Sequence, residues 1–156
     1  MVKIENVWDF PRPAVCEPYL GTLEVRIDNN ILAKTKRAWR VIETSHPPTY
    51  YFHPNDVENV YLKKNTKKTI CEWKGVSSYF DYISSKRKLK NIAWYYNAPF
   101  IKFLSIKDYI SFYSLQTVHC FVDGEKVISQ EGGFYGGWIT TNLRGPFKGK
   151  EGTQSW

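Results

Sequence analysis

The sequence predicts a mainly β fold of the barrel or sandwich type, and two observations lead to this prediction. Aromatic residues make up 17% of the chain, with six Trp, eleven Tyr and nine Phe against a single Met, and rigid rings of this kind favour strands. The apolar segments are also short and bounded by turn-forming residues. With 156 residues, the chain is expected to form a single domain over residues 1–156.

The first elements predicted are an extended arm and a hairpin. Residues 1–21 carry three prolines at positions 11, 13 and 18, so this arm is expected to be extended and to wrap the domain. Apolar and charged residues then alternate on both sides of Asn29-Asn30, a pair that tolerates positive φ. This pattern predicts an edge hairpin over 23–33.

The rest of the chain predicts more strands, one helix and an irregular tail. Strands are expected at 37–44, 49–52, 69–73, 78–83, 92–96, 118–122 and 126–128. The last two flank Asp123-Gly124, a strong hairpin signal. Ile106, Tyr109, Ile110 and Tyr113 have helical spacing and predict one short α-helix at about 105–114. The Gly- and Pro-rich tail over 143–156 is expected to be irregular.

The charge of the chain permits one class of partner. The net charge is +7, and the cations are concentrated in two runs, at 63–68 and 86–90, which read as polar loops between apolar segments. A nucleic-acid or anionic-surface binding module that uses these loops is therefore an alternative function. Neither run is interleaved with aromatic residues as a base-stacking platform would be.

Targeting and cofactor signals are missing from the sequence. No apolar run approaches the ~20 residues that span a bilayer, and the first residues lack the hydrophobic stretch of a secretion signal. We therefore expect a cytoplasmic protein that does not bind membranes. The three cysteines are widely spaced and the histidines do not cluster with them, so no disulfide framework, metal or cofactor is expected.

The segment 130–141, QEGGFYGGWITT, points most directly to function. It sets four glycines among three aromatic rings, and glycine lets a backbone bend sharply or be approached closely. Rings held in this way are typical of a ligand pocket, although the same pattern also fits two tight turns with core-filling rings. We expect the ligand-binding residues to be Tyr51, Trp73, Trp94, Tyr135 and Trp138.

The turn ETSHPPTYY at 43–51 supplies the best candidate for proton transfer. His46 stands at a bend stiffened by two prolines, and an imidazole titrates near neutral pH. Together with Tyr50 and the anion-binding candidate Lys74, it forms the predicted catalytic set, His46, Tyr50 and Lys74. The alternative is that His46 only bonds the backbone at a turn.

These motifs occur in an order that resembles a known family. The segments are VWDFPRP (7–13), RVIETSHPPTYY (40–51), CEWKG (71–75), AWYY (93–96), VDGE (122–125), the glycine-aromatic segment and GPFKG (145–149). In this order they are similar to the longer form of the family called domain of unknown function 427. The resemblance covers essentially the whole chain. It implies a compact, mainly β domain, an open antiparallel barrel or tent with one helix.

The resemblance implies little about chemistry. A nucleotidyltransferase activity is sometimes attributed to the family, but two-metal phosphoryl transfer needs closely placed carboxylates. The six aspartates contain no Asp-x-Asp pair, and no phosphate-binding Gly-x-x-x-x-Gly-Lys loop is present. The sequence thus favours a β domain with an aromatic-lined small-molecule pocket, and leaves open whether the pocket carries out acid-base catalysis.

Overall fold

The computed structural model describes residues 3–156 and consists mainly of strands, with 47% of residues in strands and 10% in helical turns. The strands are β1 (Glu5–Asn6), β2 (Val15–Tyr19), β3 (Leu23–Ile27), β4 (Asn30–Thr35), β5 (Ala38–Ile42), β6 (Thr49–Tyr51), β7 (Leu62–Cys71), β8 (Gly75–Ile83), β9 (Lys88–Tyr96), β10 (Ser111–Phe112), β11 (His119–Val122), β12 (Glu125–Lys126), β13 (Ile128–Ser129), β14 (Trp138–Ile139) and β15 (Leu143–Arg144). Short 3-10 helices lie at Val7–Asp9, Pro54–Asp56, Asn59–Tyr61 and Ile101–Ile106. The predicted fold class is confirmed.

Three sheets form the body of the molecule. Their strand orders are β10-β9-β8-β7, β12-β11-β3-β4 and β2-β5-β6, and two-stranded sheets are added by β13-β14 and by the parallel pair β1-β15. An isolated bridge between Phe52 and Ile110 links the end of β6 to the segment before β10. Within residues 3–156 the sheets do not close into a barrel, so the architecture is open, as predicted.

The central strands β8 and β9 are buried on both faces. Phe80 and Tyr82 face a large apolar cluster shared with β3, β4 and β11, whereas Tyr79 faces a second cluster shared with β5 and β6. Side chains alternate along a strand, so the same stretch of chain supplies both clusters. This explains why Ser77–Phe80 is buried at every position rather than at every second one.

Two bulges meet at Asp81 and bend the central sheet. Three residues of β7 face Tyr79 alone, and three residues of β9 face Asp81 alone. One Asp81 oxygen accepts hydrogen bonds from the Asn65 amide group at 2.7 Å and from the Asn91 backbone N–H at 2.9 Å. The Asn65 amide also donates to the Asn91 side-chain oxygen at 2.8 Å. The extra residues are therefore fixed by side-chain hydrogen bonds instead of ladder pairs.

The first basic run is not a loop and the second is one only at Lys86 and Arg87, between β8 and β9, which corrects the prediction. Residues 63–68 lie inside β7, and Lys88 to Lys90 lie inside β9. Lys64 and Lys67 lie over aromatic rings, at 5.1 Å from the Tyr95 centroid and 4.7 Å from that of Tyr79. Composition suggested solvated connectors, but the ammonium ends of these two lysines lie over rings of the sheet, which is a cation–π geometry. Lysines on the edge strand β7 also discourage pairing with another sheet.

The helical segment differs from the predicted one. It is a 3-10 helix at Ile101–Ile106 rather than an α-helix at 105–114. Asp108 has a φ of 61°, which no α-helix allows, and Ile110 exchanges two backbone hydrogen bonds with Phe52, at 2.8 and 2.9 Å. The apolar residues at helical spacing instead alternate along an extended segment, because the free edges of β6 and β9 offer it strand partners.

The predicted hairpins are confirmed, and both ends of the chain pack together. The β3-β4 turn uses Asp28 and Asn29, both at positive φ, one position before the predicted Asn29-Asn30, and Asp123-Gly124 joins β11 to β12 as predicted. Phe10 from the predicted arm packs with Leu143 from the tail. Met1 and Val2, the first residues of that arm, lie outside the described residues. None of the helices in residues 3–156 is long and apolar enough to cross a bilayer.

The Asp81 hydrogen bonds predict a measurable contribution to stability. Asp81→Ala leaves the Asn65 amide and the Asn91 N–H without their acceptor, so the free energy of unfolding is expected to fall by about 2 kcal/mol. Urea denaturation measures it. The matched control is Asp9→Ala, since Asp9 is exposed. Equal stability of the two variants would contradict the role of Asp81.

Candidate ligand-binding cleft

A cleft of about 220 Å³ opens beside the second apolar cluster. One wall is formed by β5, β6 and the turn between them, and the opposite wall by β7 and the turn at 72–74. Strands β8 and β9 form the floor. The glycine-aromatic segment closes one side. Four distant parts of the chain therefore meet at one cavity.

Eight Phe, Tyr and Trp residues line the cleft. Trp94 lies at the centre, where its indole N–H donates to the Tyr51 hydroxyl at 3.4 Å and its ring packs 4.6 Å from that of Tyr113. Tyr96 follows two residues later on the same face of β9, and Trp73 and Tyr135 line the two sides. Such rings offer flat apolar surface with polar edges.

Glycines allow two walls of the cleft to come close together. A Cβ atom on Gly136 would lie 2.0 Å from Cη2 of Trp94, and one on Gly137 would lie 2.6 Å from Cγ of Pro47. No side chain fits at either position without displacing its neighbour. These glycines are required by close approach to the ring and to the proline turn, rather than by backbone φ.

A hydrogen-bond network fixes the ring of His46. The side-chain oxygen of Gln130 accepts from the Gly137 N–H at 3.1 Å, so the amide nitrogen of Gln130 must point the other way. That nitrogen donates to the Lys148 carbonyl at 2.8 Å and lies 3.1 Å from Nδ1 of His46. Because an amide nitrogen only donates, Nδ1 accepts, and the proton of neutral His46 is on Nε2.

His46 is uncharged at neutral pH. Burial, with the nearby Lys148, Lys74 and Arg12 cations, lowers the pKa of His46 to about 4, although the Glu43 carboxylate acts in the opposite direction. The Nε2 atom lies 3.9 Å from Glu43 Oε1. His46 therefore offers the cleft an N–H donor, whereas a general base would need a free ring nitrogen.

Lys74 carries a charge that has no close counter-ion. Burial acts to lower the pKa of Lys74, but the Tyr51, Cys71 and Glu43 groups outweigh it and the pKa is raised. Lys74 is thus an ammonium ion at neutral pH. Its Nζ lies 5.8 Å from the Tyr96 ring centroid. No carboxylate in the described part of the chain, residues 3–156, lies within 4.0 Å of it.

Glu43, Gln130 and Lys148 also line the cleft, and sequence reasoning missed them. Glu43 Oε2 accepts from the Trp73 indole N–H at 3.2 Å, and the Lys148 Nζ lies 5.7 Å from the Tyr135 ring centroid. Glu43 begins the ETSHPP turn, which was the only local signal. Gln130 stands in the glycine-aromatic segment and Lys148 in GPFKG, but no local pattern marked their roles, since they reach His46 only through tertiary contacts.

A family model described as "Domain of unknown function (DUF427)" matches residues 15–124, more than two thirds of the chain. The chain belongs to this family. No curated protein matches it. The part that matches the DUF427 model includes His46, Lys74 and Trp94, whereas Gln130, Tyr135 and Lys148 lie beyond it. The family identified from the motifs is confirmed.

The remaining predicted site residues, Tyr50 and Trp138, face away from the cleft of this DUF427 protein. Tyr50 points into the main core, where its ring lies 5.3 Å from that of Trp138, and burial raises its pKa to about 12. Trp138 donates its indole N–H to the Phe112 carbonyl at 2.9 Å. Tyr50 and Tyr51 are neighbours on β6 and so point to opposite faces. We therefore leave Tyr50 and Trp138 out of the site.

The close approach at Gly136 predicts the effect of a single methyl group. Gly136→Ala is expected to displace the Trp94 ring and to destabilise the protein by about 1–3 kcal/mol, the usual effect of overpacking. The indole N–H signal of Trp94 in an NMR spectrum reports the displacement. Gly133→Ala is the control for this signal in the same segment, because nothing lies within 4 Å of its Cβ position, although its φ of 67° adds a backbone strain that Gly136 does not have. An unshifted Trp94 signal in Gly136→Ala would contradict the contact.

Burial of neutral His46 predicts a pH dependence of stability. The unfolded chain binds a proton near pH 6.5 and the folded protein near pH 4, so stability is lost as the pH falls through this window. Between pH 7 and pH 5 the loss is about 2 kcal/mol. Urea denaturation of the protein and of His46→Gln, at both values, measures it. The dependence should be much weaker in the variant, and equal slopes would contradict the burial of neutral His46.

Proposed function

We propose that the cleft binds a small aromatic organic molecule of one or two rings. The observation that carries this proposal is the arrangement around Trp94, where aromatic rings surround an open cavity of about 220 Å³. A protein cavity of about 150 Å³ holds a benzene molecule. The cleft therefore has room for a substituted ring, and ring-lined cavities with a few polar groups are the usual form of ligand sites.

The polar groups of the cleft support binding more than catalysis. His46 has its proton on Nε2 and its other ring nitrogen occupied by Gln130, and Lys74 holds its proton firmly because its pKa is raised. Tyr50 lies in the core. His46 and Lys74 thus both keep their protons at neutral pH, which suits hydrogen bonding to a ligand. Acid-base catalysis by His46, Tyr50 and Lys74 stays a prediction.

Three further expectations are also kept as proposals. A nucleic-acid or anionic-surface partner for residues 63–68 and 86–90 stays the alternative function. Lys68 donates to the Ser78 hydroxyl at 2.9 Å and so is partly engaged within the sheet.

A cytoplasmic location is supported by three free thiols, which are typical of a reducing compartment. The single domain over 1–156 is supported by the packing of Phe10 against Leu143.

A ligand screen tests the proposal. Some indole or phenyl compounds are expected to raise the unfolding temperature, because a ligand of the native state stabilises it in proportion to its affinity and concentration. Trp73→Ala should weaken binding by about tenfold, as the loss of an aromatic wall does. Trp8→Ala is the matched control, since Trp8 is half-exposed and its indole N–H bonds the Pro146 carbonyl, away from the cleft. Equal binding by both variants would place the ligand elsewhere.

A further inference from the structure

Two opposite charges face the cleft without pairing. Lys74 has no carboxylate within 4.0 Å in the described residues. Glu43 receives one hydrogen bond, from the Trp73 indole N–H, and its other oxygen lies 3.9 Å from the neutral imidazole of His46. An ammonium and a carboxylate are thus both available to a molecule in the cavity.

The charged groups of the cleft balance. Two carboxylates, Glu43 and Glu72, and two ammonium groups, Lys74 and Lys148, line it. Burial raises the pKa of Tyr96 and of Tyr113 far above the ordinary value and lowers that of His46. Because its charges balance, the cleft does not attract a ligand by net charge. It selects a ligand whose charged groups lie where they can pair with the separate carboxylates and ammonium groups of the lining.

We propose that the ligand is a small aromatic zwitterion, a ring system that bears both a carboxylate and a protonated amine. The carboxylate binds the ammonium of Lys74, the amine binds the carboxylate of Glu43, and the ring lies against Trp94. This inference rests on the proposed function, since it specifies the ligand of the same cleft. It extends that function from ring recognition to the recognition of two charges.

Other charge types fit the cleft less well. A phosphate or another dianion would meet Glu43 and Glu72 at close range, and like charges in a partly buried site repel. An aromatic monoanion would satisfy Lys74 but would remove water from Glu43 without replacing its cationic partner, which is unfavourable. An aromatic amine would do the same to Lys74. Only a ligand with both charges leaves neither group unpaired.

A matched ligand series tests this inference with the intact protein. The probes are tryptophan, indole-3-propionate, which lacks the amine, tryptamine, which lacks the carboxylate, and indole. The phenyl series of phenylalanine, 3-phenylpropionate, phenethylamine and benzyl alcohol serves if the two-ring compounds are too large. Titration calorimetry is expected to show the zwitterion binding about tenfold or more tightly than either singly charged analogue.

Two variants assign each charge to its partner. Lys74→Met should remove the advantage of tryptophan over tryptamine, because tryptophan loses its partner for the carboxylate while tryptamine no longer leaves a buried ammonium unpaired, and it should not weaken the binding of tryptamine or indole. Glu43→Gln should remove the advantage of tryptophan over indole-3-propionate, and it should not weaken the binding of indole-3-propionate or indole. Lys34→Met and Glu58→Gln are controls, because both side chains lie outside the cleft. A variant that weakens all four compounds equally acts on the structure of the cleft, and that result would overturn the assignment.

The two proposals fail in different ways. If indole binds as tightly as tryptophan, the cleft recognises rings and the zwitterion inference is wrong. Tighter binding of indole-3-propionate or tryptamine than of tryptophan also overturns it, in favour of an aromatic acid or amine. If none of the eight compounds binds, the proposed function fails together with the inference.

Discussion

Burial of both faces of the β8–β9 pair is the constraint on which the rest of this structure depends. A strand with two buried faces needs an apolar layer on each side, and here the layers are the β12-β11-β3-β4 sheet and the β2-β5-β6 sheet. The second sheet is the smaller one. Beyond its last strand the aromatic floor is covered only by turns and by the glycine-aromatic segment, and the cleft lies at that place.

Local signals predicted the parts of the fold that depend on local chemistry. The hairpins at 23–33 and around Asp123-Gly124 were predictable because Asp and Asn residues accept the positive φ that such turns need. The structure of segment 105–114 was not predictable. Its apolar spacing fits a helix as well as it fits an extended chain, and the extended chain forms because Phe52 and β9 pair with it. The lysine runs were predicted as loops because the prediction used composition alone. Composition does not show whether a lysine ammonium lies over a ring, as that of Lys67 lies over Tyr79.

Part of the cleft was also predictable from local signals in the sequence. His46, Lys74 and Trp94 could be named because they stand beside prolines, glycines or other rings, and these residues do line one cavity. Tyr50 was misplaced by one position on a strand, which is enough to turn a side chain into the opposite core. Gln130 begins the glycine-aromatic segment, but its role was not predictable. Its role depends on Gly137, Lys148 and His46, the last of them 84 residues away in the chain.

The absence of a carboxylate partner near Lys74 does not stabilise the fold. Taking an ammonium group partly out of water costs up to several kcal/mol, and a cation–π contact such as that with Tyr96 returns only about 0.5–2 kcal/mol. Glu43 attracts Lys74 at longer range, but the Trp73 indole N–H holds its carboxylate, and no direct pair forms. A folded chain selected only for stability would let these two charges meet or leave them in water. In the proposed complex, the two charges, held apart on the walls of one aromatic cleft, each gain a partner only when a ligand that bears both opposite charges fills the cleft.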